Sequence, residues 1–146
     1  MSEDVVVRTV GDASVRASDA RLLDDGAWLN DALIHFAYEE LRLGLHGGGG
    51  GGGATDGGVF LAAPALVHLL VNAPDAAFAR AVASPLGLPA KHSVFLPVND
   101  CLSLDAPGGS HWSLLVYSHT SNAFFYYGTP PCLFQYHPSF NISQIL

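Results

Sequence analysis

Hydrophobic positions fall at helical spacing in the first part of the chain and gather into short strand-like runs in the last third. Val5, Val6 and Val7 are β-branched and suit an extended arm over residues 1–17. Ser18 and Asp19 are placed to cap a short turn before Leu22-Leu23, and Asp24-Asp25-Gly26 is a turn signal. A helix is predicted from Asn30 or Asp31, either of which can cap it. Leu33, Phe36, Ala37 and Leu41 fall on one face of it, and Gly44 is its predicted stop. Pro64 to Leu70 predicts a second helix with proline in the first turn, and Asp75 to Ala83 a third, capped by Asp75. Pro85, Gly87 and Pro89 then break the chain. Ser93 to Asn99 predicts a strand in which Pro97 marks an edge or a bulge. Trp112 to Ser118 is the strongest strand, with Leu114 to Tyr117 reading as buried on both faces. Ser121-Asn122 forms a turn that pairs it with Ala123 to Tyr127 as a hairpin. Helices first and strands afterwards predict an α+β fold.

Two segments depart from this pattern. Gly47 to Gly53 is homopolymeric, and residues 47–58 read as a disordered glycine-rich insertion, because glycine maximises backbone entropy and packs nothing. A phosphate-cradling loop would need a preceding strand, a following helix and usually a lysine, which this run lacks. Residues 128–146 contain Pro130-Pro131 and no amphipathic period, and read as an irregular tail.

Composition narrows the function. A hydrophobic fraction of 49% is enough for a core. Six Lys plus Arg against 13 Asp plus Glu give a net charge of −7 and no basic stripe, which argues against a nucleic-acid partner and for a basic protein surface. Two cysteines, Cys101 and Cys132, are too few for a disulfide framework and fit a reducing compartment. Met1-Ser2-Glu3-Asp4 is acidic and begins no signal peptide, and apolar stretches such as Val59 to Val71 are interrupted by Pro64 and His68. A soluble protein of the nucleus or cytoplasm is expected, with no membrane partner, no cofactor and no metal.

The candidate chemistry centres on Gly108-Gly109-Ser110-His111-Trp112, which places a histidine at the mouth of a buried strand behind a flexible loop. Such a position suits a general base, and it equally suits a histidine that merely ends a strand.

Three segments resemble the ubiquitin-like protease family, which includes the Ulp and sentrin-specific proteases, and within it the deneddylase branch. They are Leu22-Leu23 through Trp28-Leu29-Asn30-Asp31; Val94-Phe95-Leu96-Pro97-Val98-Asn99-Asp100; and Gly109-Ser110-His111-Trp112-Ser113-Leu114-Leu115-Val116-Tyr117 followed by Phe124 to Tyr127. The resemblance covers about Val5 to Tyr127 and implies a partial domain of a papain-like cysteine protease over residues 1–127. It implies cleavage after the Gly-Gly tail of a Nedd/Rub-type or SUMO-type modifier by a Cys–His–Asp triad, with the tail held under tryptophan where only glycine fits. It makes His111 the triad base, Trp28 and Trp112 the tail-binding indoles, and Asp31 a tail contact. A core anchor at Trp28 and a helix cap at Asp31 remain alternative readings.

The likeness stops at Gly128, which stands where the family has its triad aspartate, and no nucleophile-bearing Asp-Cys-Gly follows. Cys101 and Cys132 are not expected to replace it, since neither lies at a predicted helix amino terminus. The expectation is a truncated chain, read through an exon boundary, that is inactive alone and of marginal stability. The alternatives are a non-catalytic modifier-binding module and a non-functional fragment.

Overall fold

The structure is a computed structural model and describes residues 4–47, 58–100 and 111–128. The expectations for Cys101, Cys132, the loop before His111, the bulk of the glycine run and the tail lie outside the described residues. The chain divides into two compact units, Met1–Asp56 and Gly57–Leu146.

The first unit opens with β1 (Val6–Val10) and β2 (Ala13–Arg16), an antiparallel hairpin rather than the single extended arm expected from the valines. Val10 pairs with Ala13, so Gly11-Asp12 is a two-residue loop, and Gly11 takes the φ of +57° that such a loop demands. Along β2 burial alternates, with Ala13 and Val15 inward and Ser14 and Arg16 outward. A four-residue α1 (Ala17–Ala20) and one 3-10 turn follow. Asp4 holds this corner, its carboxylate accepting from the Ser18 amide and hydroxyl at 3.0 and 2.6 Å. Asp19 accepts from the Arg16 amide at 2.8 Å.

Helix α2 (Asp31–Gly47) packs against this hairpin. Asn30 is its cap, accepting from the Leu33 amide at 3.0 Å. The helix runs through Gly44 instead of stopping there; a glycine in an exposed helix costs about 1 kcal/mol, too little to end a helix held by packing. The inward line is also narrower than the sequence predicts. Leu33 and Glu39 are buried with Phe36 partly so, whereas Ala37 and Leu41 are exposed, because a two-stranded hairpin covers only one stripe of the helix.

The second unit is a four-stranded sheet of order β3-β4-β5-β6. Its strands are β3 (Val59–Leu61), β4 (Ser93–Asn99), β5 (Trp112–Ser118) and β6 (Ala123–Tyr127), with β3 parallel to β4 and the other pairs antiparallel. The crossover from β3 to β4 contains α3 (Pro64–Val71), with proline in its first turn, and α4 (Ala76–Ala83), capped as expected by Asp75 accepting from the Phe78 amide at 2.8 Å. Val67 and Leu70 of α3, Ala79 and Ala83 of α4, and Leu88 pack with Val94, Leu96 and Val98 of β4 and Tyr117 of β5 to form the core. Strand β3 escapes the sequence reading because three residues carry too little period. It also resolves the proline in β4. Pairing with β3 ends at Leu61 and Phe95, so Pro97 lies past the last residue of β4 that pairs with β3 among the described residues.

Candidate active site

Each candidate residue has a definite place in its own unit. In the first, Trp28 lies in the segment before α2 and is 68% exposed. Asp31 is exposed and is the first residue of α2; since Asn30 caps the helix, Asp31 adds only a favourable charge at its amino-terminal turn.

In the second unit, His111 and Trp112 stand where β5 begins. Trp112 pairs in register with Asn99, so β4 ends opposite the point where β5 starts. One step beyond this pair, Asp100 and His111 face each other. The Asp100 amide donates to the His111 carbonyl at 3.2 Å, and the His111 amide donates to Asp100 Oδ1 at 3.1 Å. The second carboxylate oxygen, Oδ2, lies 3.5 Å from His111 Nδ1. The imidazole is 43% exposed, open enough to meet a substrate and anchored by a strand pair on its backbone side.

Asp100 is the residue that sequence reasoning passed over. It closes the Val94-to-Asp100 motif without receiving a role, since only the β4–β5 register brings it to the imidazole. Gly128, the position expected to carry the orienting carboxylate in this family, follows β6, and the phenol of Tyr126 fills the space a side chain at 128 would take.

Among the described residues, Asp12, His35 and Glu39 place potential metal-ligating atoms within 4.8 Å of one another, all in the first unit. His35 Nε2 lies 3.3 Å from Asp12 Oδ1. Glu39 is gripped at both oxygens by the Arg42 guanidinium, which holds its carboxyl below the ordinary glutamate range. That fork already gives both oxygens of the buried carboxylate a charged partner. No helix among the described residues is long and apolar enough to cross a membrane.

No protein-family model matches the chain. Curated relatives do. It is 38% identical over 124 residues to sentrin-specific protease 8 of Homo sapiens, covering 85% of this chain and 55% of that protein. It is 32% identical over 124 residues to NEDD8-specific protease 1 of Arabidopsis thaliana, covering 84% and 51%. It is 32% identical over 117 residues to NEDD8-specific protease 2 of Schizosaccharomyces pombe, covering 80% and 27%. The chain thus spans about half the length of the first two and about a quarter of the third. Over those aligned residues, carrying the paired strands that seat His111 and Trp112, the chain belongs to the ubiquitin-like protease family, with deneddylases among its relatives.

Proposed function

We propose that this chain supplies the tail-binding and general-base side of a cysteine-type peptidase with a papain-like fold, one that releases a Nedd/Rub-type or SUMO-type modifier after its Gly-Gly tail. The observation that carries the reading is the seating of His111 at the mouth of β5, beside Trp112 and with a carboxylate at its Nδ1 edge. In such a reaction the imidazole takes the proton of a thiol. The thiolate attacks the scissile carbonyl, and the imidazolium returns the proton to the leaving amine. The tail-contact roles that the family resemblance gives Trp28, Asp31 and Trp112 belong to this proposal, with glycine required wherever an indole leaves no room for a side chain.

The residues carried over from the resemblance include a base and tail contacts, so binding of the modifier is the first readout of this proposal. The expected result with a Nedd-type modifier bearing a carboxy-terminal fluorogenic amide is therefore saturable binding without release of the fluorophore. Binding should weaken on Trp28→Ala or when the terminal Gly-Gly is changed to Ala-Ala. Turnover abolished by His111→Ala and by thiol alkylation would instead assign the nucleophile to Cys101 or Cys132. Absence of binding by the folded chain would remove the modifier from the proposal.

A further inference from the structure

In the family pattern the carboxylate that orients the base comes from position 128, which is glycine here. A base without an orienting group would sample both neutral tautomers, and in only one does Nε2 keep its lone pair for a thiol proton. The register of β4 and β5 supplies another carboxylate. One oxygen of Asp100 is fixed by the His111 backbone amide at 3.1 Å, which aims the other at His111 Nδ1, 3.5 Å away. The Asp100 amide returns a bond to the His111 carbonyl, so one backbone–backbone and one backbone–side-chain bond join the two residues. A distance of 3.5 Å is longer than a formed hydrogen bond, as is common where a catalytic pair tightens only with substrate bound. Position 128 cannot orient the ring, because glycine has no side chain.

The geometry points to Asp100 as the positioning carboxylate of His111, standing in for the absent residue at 128. It acts through the imidazole, holding the proton on Nδ1 so that Nε2 is the accepting nitrogen. This rests on the reading of His111 as a base, and it names the group that makes the histidine one.

The test is side-chain nitrogen NMR of His111 in the full chain, at a pH where the ring is neutral. The long-range proton–nitrogen pattern distinguishes the Nδ1–H from the Nε2–H tautomer without any need for turnover. Wild type is expected to show mainly Nδ1–H. Asp100→Asn keeps an oxygen for the His111 amide but can present an N–H to the ring, and should reverse the pattern to Nε2–H. Asp100→Ala should also lose the Nδ1–H preference, and Asp100→Glu should restore it at least in part. Amide signals of Leu96, Val98 and Leu114 report whether the strand pair survives each change. A wild-type pattern unchanged in Asp100→Asn and Asp100→Ala, with those signals intact, would overturn the assignment. Failure of modifier binding would leave this result untouched, so the two readings fall separately.

Discussion

Trp28 and Val94 show how differently two apolar side chains serve this protein. Val94 is fully buried in the second unit's core, and Val94→Ala should cost about 2 kcal/mol through lost burial and the cavity left behind. Trp28 is two-thirds exposed, so Trp28→Ala should leave stability within about 0.5 kcal/mol of wild type. If the indole receives a modifier's tail, the same change should weaken binding by roughly tenfold or more, as truncation of an interfacial tryptophan usually does. Paired denaturant melts and binding titrations check both halves of this expectation. A melt that drops with the binding would return Trp28 to a structural role. The same contrast explains what the sequence disclosed of the site. His111 and Trp112 were named because Gly109 to Tyr117 resembles the family motif; the local pattern alone marked only a histidine at the start of a strand. Asp100 was not, because its relation to the ring exists only through the pairing of Asn99 with Trp112, across a separation that no local pattern spans.

At the scale of elements, local chemistry was most legible where one side chain makes one bond. Asp75 was read as a cap from its position before an apolar helix, and its carboxylate accepts from the Phe78 amide. Asp75→Ala should therefore cost about 1 kcal/mol and fray the first turn of α4, seen as faster amide exchange there. Elements whose existence depends on a distant partner were harder to read. Strand β3 is three residues long and is defined by pairing in parallel with β4, and the hairpin of β1 and β2 showed only as a run of valines read as one extended arm. Helix α2 shows a third limit, because its inward line ends in a charge. Glu39 is buried, and its bond from Arg42 draws its carboxyl below the ordinary glutamate range. The unfolded chain therefore takes up a proton there before the folded chain does. The pair's contribution is complete above the unfolded glutamate pKa and is lost as pH falls through the lower folded value. With Arg42 half-exposed, that contribution is about 1 kcal/mol or less. Stability of the wild type should decline more steeply on acidification than that of Glu39→Gln, as measured by denaturant midpoints over a pH series.

At the scale of the whole molecule, β3 and β6 are the two outer strands of the second unit's sheet among the described residues. Strand β4 is covered by helices and flanked by strands, whereas β6 is the last strand of the order and has no further neighbouring strand among the described residues. Phe124, Phe125, Tyr126 and Tyr127 along it are all 39–59% exposed. Successive residues of a strand point to opposite faces, so both faces of this edge strand carry aromatic surface. Proteins usually blunt such an edge with charge, proline or a covering element, and within β6 there is neither charge nor proline. An aromatic edge of this kind favours strand-to-strand association. The purified chain should show scattering that grows with concentration. Phe125→Lys and Tyr127→Lys together should suppress it, since they place two like charges on one face of the edge and oppose an antiparallel or parallel copy alike. The substituted positions are exposed, so the melting midpoint should change little while association falls. Association that persists in the double variant would locate the contact elsewhere on the molecule.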